Sequence, residues 1–203
     1  MQQPKHSPWN SALRVIKYIK GSPGSGLLMS SHKDTRLTGF CDADWTACVN
    51  TRRSMIGCLL KFGDSLISWK SKKHNTISRS SAEVEYRSLT TLTKEVVWVT
   101  GLFKESCVNL ESLTIIHCDS KAALEIVVNP VFHERTKHIE IDCHFIREKI
   151  LQGLIQTNYI ISKEQQADVL TKALGRTQHD FLLSKLGLLN IFNTSSLKGS
   201  IGN

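Results

Sequence analysis

The stretch Ser80–Phe103, SSAEVEYRSLTTLTKEVVWVTGLF, decides the fold. Ser80 with Glu83 three residues later is a capping-box spacing, so a helix starts at Ser80 and Glu83 serves its first turn. At about 100° per residue, Glu85, Leu89, Leu92, Val96, Val99 and Phe103 fall within roughly 40° of one line, a stripe that must face a core. Glu83 lies about 160° round from Glu85 and faces the other way. An ionised carboxylate on a core stripe is costly unless a cation meets it. Glu85 therefore either pairs with a Lys or Arg at the edge of the core or binds a metal ion, and the second reading needs partners elsewhere in the chain.

Outward from this helix the hydrophobic period changes. On its N-terminal side, Leu27–Met29, Leu37–Asp44, Met55–Phe62 and Leu66–Lys70 read as strands, with Gly63-Asp64 suited to a tight hairpin between the last two. Further back, Ser7 and Pro8 begin a helix carrying Trp9, Leu13, Ile16 and Ile19, and GSPGSG at Gly21–Gly26 ends it as a linker. On the C-terminal side, Leu113–Asp119 (LTIIHCD) is a buried strand ending in a carboxylate, followed by helices over Ser120–Val128 and Lys137–Gln152. Leu154–Ile161 is a last strand. Ser162 and Gln165 cap a helix to about Leu174, and residues 176–190 add a terminal helix before a polar tail from Asn193. This order predicts an α/β fold around a mixed five-stranded sheet, three strands antiparallel and two parallel, flanked by helices.

The 203 residues, 40% apolar, suffice for one well-buried domain with an appendage. A net charge of +8 favours a polyanionic partner. Cys41, Cys48, Cys58, Cys107, Cys118 and Cys143 form no C-x-x-C pair, which predicts free thiols in a reducing compartment. With no membrane-spanning run and no signal-peptide core, the expectation is a soluble, intracellular protein without a membrane partner.

Three further carboxylates stand where sheet proteins place chemistry: Asp42 in the first long strand, Asp119 at the end of the central one, and Asp168 near the start of the final helix. Each has a structural alternative. Asp42 can close a turn with Asp44, Asp119 can cap the helix at Ser120, and Asp168 can complement a helix dipole. If they converge with Glu85, their mutual repulsion calls for cations between them. All-oxygen ligation suits Mg²⁺ first and Mn²⁺ second, and argues against zinc, which would draw on His and Cys. Two such ions roughly 3.5–4 Å apart suit an in-line phosphoryl displacement. A basic exterior around such a pit suits a nuclease.

These residues lie in GFCDADW (Gly39–Trp45), TRRSMIG (Thr51–Gly57), LISWKSKK (Leu66–Lys73), SRSSAEVEYRSL (Ser78–Leu89), HCDSKAAL (His117–Leu124), NPVFHERTKHIEIDCHFIREKI (Asn129–Ile150) and QADVLTKAL (Gln166–Leu174). Over these strings the chain resembles the ribonuclease H domain at the C-terminal end of copia-type LTR retrotransposon polyproteins. The stretch Trp9–Gly21 is similar to that family's connection from the reverse transcriptase. The resemblance implies a ribonuclease H-like fold over residues 27–175 and a connection helix and linker over 1–26, while the residue pattern beyond reads as a C-terminal helix over 176–192 and a disordered tail over 193–203. The resemblance also implies hydrolysis of the RNA strand of RNA/DNA hybrids to 5′-phosphate and 3′-hydroxyl ends, with two Mg²⁺ ions held by Asp42, Glu85, Asp119 and Asp168. The partners implied are the hybrid and the reverse transcriptase portion of a parent polyprotein. A different class of reading is a decayed copy that binds hybrid without cutting it. Another is a fragment that folds only when fused to its polymerase portion.

One departure concerns a His that cellular enzymes of this type carry in the loop before the last Asp. Here that loop, IISKEQQAD (Ile160–Asp168), has none, and Glu164, His138 or His144 are the candidate substitutes. Phosphate contacts are expected from Arg52, Arg53, Lys70, Lys72, Lys73 and Arg79, and 2′-hydroxyl contacts from Thr46, Asn75 or Ser80.

Overall fold

The structure, a computed structural model, describes residues 6–48, 50–75, 77–78, 80–110, 113–128 and 137–192. The chain divides into two compact units, one drawn from both termini (1–28 and 188–203) and one spanning 29–187.

In the terminal unit, helix α1 (His6–Gly21) leaves Trp9, Ile16 and Ile19 exposed. The short strand β1 (Ser25–Leu27) pairs antiparallel with β7 (Leu188–Asn190), Gly26 facing Leu189. Both strands depart from the sequence reading, which places a strand at Leu27–Met29 and continues a helix to residue 190. The reason for the second difference is local. Helix α5 (Arg176–Lys185) ends at Leu186, and Gly187 (φ +74°) takes the left-handed conformation that terminates helices and frees Leu188 to enter a strand.

The larger unit is built on a five-stranded sheet in the order β4-β3-β2-β5-β6. Strands β2 (Leu37–Asp44), β3 (Met55–Phe62) and β4 (Ser65–Lys73) form an antiparallel meander. Strands β5 (Thr114–Cys118) and β6 (Ile155–Tyr159) add in parallel, β5 beside β2. The turn Gly63-Asp64 joins β3 to β4, with Gly63 at φ +54° and its amide donating to the Arg36 carbonyl (2.8 Å). Helix α2 (Ser81–Glu105) starts at the expected cap, where the Glu83 amide donates to Ser80 Oγ, and lays Leu89, Leu92 and Val96 on the sheet. At Gly39 of β2 a Cβ would meet Leu92 Cδ2 at 2.8 Å, so a larger residue there would force the buried Leu92 side chain to shift. Helices α3 (Lys121–Val128) and α4 (Lys137–Leu151) pack beside α2 and supply Ala123, Val127, Cys143 and Ile146 to the core.

The opposite face of the sheet is covered by the segment after β6, expected as one helix and observed as two 3₁₀ turns, Ser162–Glu164 and Gln166–Leu170. Tertiary bonds outweigh the helical pattern here. The fully buried Gln165 donates from its amide to the Cys41 carbonyl (3.0 Å) and accepts from the Ala167 amide, pinning the segment to β2. At Gly57 of β3 a Cβ would strike Thr171 Cγ2 at 2.7 Å, so the glycine lets this segment approach the strand. All six cysteines are free, and no helix among the described residues is long and apolar enough to cross a membrane. The tail from Asn193 and the segment 129–136, which includes His133, lie outside the described residues.

Candidate metal centre

The four carboxylates singled out in the sequence come from four elements that meet at one end of the sheet. Asp42 lies in β2 and is fully buried. Asp119 follows β5 directly, and its neighbour Ser120, not Asp119, caps α3 by accepting from the Ala123 amide (3.2 Å), which leaves the Asp119 carboxylate free to turn inward. Asp168 enters from the second 3₁₀ turn on one face of the sheet, and Glu85 from α2 on the other.

Two overlapping ligand sets result. Oxygens of Asp42, Asp119 and Asp168 all lie within 4.8 Å of one another, and so do donor atoms of Glu85, Cys118 and Asp119. The second set holds a surprise for the sequence reading, which assigns no cysteine to the cluster: the Cys118 thiol at the end of β5 stands beside the two carboxylates. Register predicts this, because Cys118 pairs with Cys41 of β2 and so shares the α2 face of the sheet, from which Glu85 enters, and not the face of Asp42.

The electrostatics of the sets differ. Asp42 Oδ2 accepts a short hydrogen bond from Thr171 Oγ1. The Lys172 ammonium donates to Asp42 Oδ1 (3.1 Å) and Asp168 Oδ1 (2.8 Å). Burial lowers the Lys172 pKa, but the hydrogen bond to Asp168 and the charge of Asp42 outweigh it and hold the ammonium charged. Asp168 is nevertheless raised to about 6 by burial, against the pull of Lys172. Asp44 is raised by burial and by Asp42.

Among the described residues Glu85 meets no side-chain cation, and a hydrogen bond from the Ala43 backbone only partly opposes the rise in its pKa. Its Oε2 is buried without a hydrogen-bond partner, and burial, then the charges of Asp42, Cys118 and Asp119, push its carboxyl up to about 9. Glu83 is engaged instead by Arg87 Nη2 (2.8 Å). Asp119 has one hydroxyl donor, Ser162 Oγ at 2.9 Å.

The three aspartates fit a hard divalent cation, whereas the Cys118 thiol beside Glu85 and Asp119 departs from the all-oxygen set expected from the sequence. The Glu85 carboxyl, with one buried oxygen unpartnered, stands beside Asp119 and feels the charge of Asp42, and the pocket already draws a positive charge, Lys172, between Asp42 and Asp168. Sequence reasoning missed Lys172, Thr171 and Ser162. The signal for Lys172 was its position four residues after Asp168, a pairing distance on any helical turn.

The basic residues divide. In the β2–β3 connection, Arg52 (φ +54°) and Arg53 are exposed, and both bond through their backbones to Cys48, whose Sγ also accepts from Lys73 Nζ (2.8 Å). These three therefore sit together, and Lys73 shares its sheet face with Asp44 by register. Lys70 and Lys72 project to the other face of β4, where Lys70 stands near Ser68 and Glu95. Arg79 lies outside the described residues. Glu164 and His144 are exposed, and the side chain of His138 lies outside the described part. Thr46 has φ +58° and donates its amide to Ser54 Oγ, Ser80 caps α2, and Asn75 is exposed.

No protein-family model matches the chain. It is 35% identical over 191 residues to the retrovirus-related Pol polyproteins from transposons RE2 and RE1 of Arabidopsis thaliana, over 94% of this chain and 13% of each relative. The chain thus spans about an eighth of the length of these relatives. Among solved structures, the N-terminal RNase H domain of a Mycobacterium tuberculosis protein superposes with a TM-score of 0.51 at 13% identity. The alignment covers 74% of this chain and 97% of that one. LC11-RNase H1, isolated from compost, gives a TM-score of 0.51 at 15% identity, covering 73% and 99%.

Proposed function

From the premise that this chain is a homologue of the retrovirus-related Pol polyproteins of copia-type transposons and has the ribonuclease H fold, we propose that it is an endoribonuclease cutting the RNA strand of RNA/DNA hybrids. The observation that carries this reading is the convergence of Asp42, Glu85, Asp119 and Asp168 from four separate elements, with one Glu85 oxygen buried and unpartnered. A structural role for each carboxylate alone leaves that oxygen without a purpose, because an orphaned buried acceptor costs stability unless function requires it.

In this reading the four carboxylates hold divalent ions, Mg²⁺ before Mn²⁺. When bound there, such ions supply charge stabilisation to the attacking and departing oxygens of a phosphoryl displacement. The protein's own residues set the geometry. Thr171 fixes the rotamer of Asp42, Ser162 orients Asp119, and Gln165 anchors the segment that carries Asp168 to β2. Arg52, Arg53 and Lys73 form one exposed basic group for the phosphate backbone on the Asp44 face, with Lys70, Lys72 and Arg79 as further contacts. Residues 27–175 make up the nuclease domain in this proposal, and 1–26 the connection from a polymerase portion.

The test is a labelled RNA/DNA hybrid incubated with the purified chain and Mg²⁺. Short RNA products that vanish with Asp42→Asn, while hybrid binding persists, support the reading. Binding without cleavage by the unaltered chain supports a decayed copy instead.

A further inference from the structure

The Lys172 ammonium sits where an ion shared by Asp42 and Asp168 would need to be. Its contacts of 3.1 and 2.8 Å place it between two members of one ligand set, and Asp42 has no exposure through which water could balance its charge. We propose that Lys172 is a tethered counter-ion, holding the position between Asp42 and Asp168 and leaving it before a divalent ion can take both carboxylates. This rests on the metal-centre reading above.

The physical argument is exclusion. Mg²⁺ draws carboxylate oxygens to about 2.0–2.1 Å, so an ammonium bonded to the same two side chains would stand within a few ångströms of a doubly charged neighbour. In a half-buried site that repulsion is too strong for both to remain. The tether also has a way out. The Lys172 side chain is 35% exposed, while those of Asp42 and Asp168 are 0% and 7% exposed, so the flexible stem can swing its head into solvent without moving the acids. Its backbone is fixed independently, with the Lys172 amide donating to the Asp168 carbonyl at 2.9 Å. The chain thereby carries its own neutralising charge when no ion is bound, and any ion must displace it.

Calorimetric titration with Mg²⁺, together with melting in chelator, tests this on the whole chain and on Lys172→Met and Lys172→Arg. Lys172→Met is expected to bind Mg²⁺ about tenfold tighter than the unaltered chain, the order of change when one ion-pair competitor is removed. It should also melt at a lower temperature in chelator and gain more from added Mg²⁺. Lys172→Arg should keep the weaker affinity. Equal or weaker Mg²⁺ binding by Lys172→Met overturns the counter-ion role while leaving the metal centre standing. Absence of Mg²⁺ and Mn²⁺ binding in every form overturns the metal centre itself. Should Lys172→Met not fold, nitrogen-15 spectra of the lysine ammonium groups in the unaltered chain decide. The signal missing in Lys172→Arg is expected to move towards that of a free lysine as Mg²⁺ is added, and an unmoved signal at saturation overturns the proposal.

Discussion

The two ligand sets share Asp119 but are kept in opposite electrostatic states. Around Asp42 and Asp168 the negative charge is met from within the chain by Lys172 and the Thr171 hydroxyl. Around Glu85 the described residues supply a backbone hydrogen bond from Ala43 and no side-chain cation, and burial with the neighbouring charges pushes its carboxyl up to about 9. The difference teaches where an added cation gains most: one set offers it a competitor to displace, the other an acid without a cationic partner among the described residues.

Neutralising one acid in each set breaks the comparison most directly. Asp42→Asn should reduce hybrid cleavage at least about a hundredfold, since loss of groups that merely support a metal ligand already costs 10–100-fold. It should also lower the melting temperature in chelator, because Lys172 and Thr171 lose their charged acceptor in a buried place. Glu85→Gln, equally damaging to cleavage, should do the reverse to stability and raise the melting temperature in chelator by about 5 °C at pH 8. Changes of the same sign in both variants would erase the distinction between the sets.

The pH profile sharpens the same contrast. The Glu85 pKa rises from about 4.5 when unfolded to about 9 when folded, so the folded state holds the proton more tightly. Its contribution to stability is therefore complete below about pH 4.5 and is lost as pH climbs towards 9. Asp168, raised to about 6, adds to the loss over its lower part. Melts of the metal-free chain between pH 5 and 9 should show falling stability, with the slope shallower in Glu85→Gln. Saturating Mg²⁺ should flatten the profile of the unaltered chain, because an ion that binds only the folded, ionised site offsets the cost of ionisation. A stability that rises with pH in chelator would mean that Glu85 is ionised and compensated in the fold.

Much of this contrast is legible in the sequence. The 3.6-residue stripe on α2 placed Glu85 against the core, and the alternation of β2 and β3 with Gly63-Asp64 between β3 and β4 gave the meander. Four acids at strand ends and turns were then the natural candidates. What stayed hidden depends on tertiary bonds. Ser162 and Gln165 have the spacing of a helix cap, yet Gln165 spends its side chain on the Cys41 carbonyl and the Ala167 amide, and Ser162 gives its hydroxyl to Asp119. Cys118 entered the site through a strand pairing that no local pattern reveals. Gly187, by contrast, carries a helix-stop signal in the sequence itself, one that the apolar spacing through Leu189 hides.

The two supporting hydroxyls supply graded tests of the same contrast. Thr171 is packed beneath Gly57 and bonds a fully buried acid, so Thr171→Val, which keeps the shape and removes the donor, should lower cleavage about tenfold and weaken Mg²⁺ binding.

Ser162 makes the smaller contribution, for a physical reason. Its bond to Asp119 is at the exposed rim, where water can replace a lost donor at little cost, and Asp119 is only half-buried. Ser162→Ala should therefore change cleavage by no more than about threefold and the melting temperature in chelator by about 1 °C or less. A loss as large as that of Thr171→Val would mean that water does not reach Asp119. The rim of the Glu85 set would then be as closed as the pocket around Asp42, and the two sets would differ in charge compensation alone.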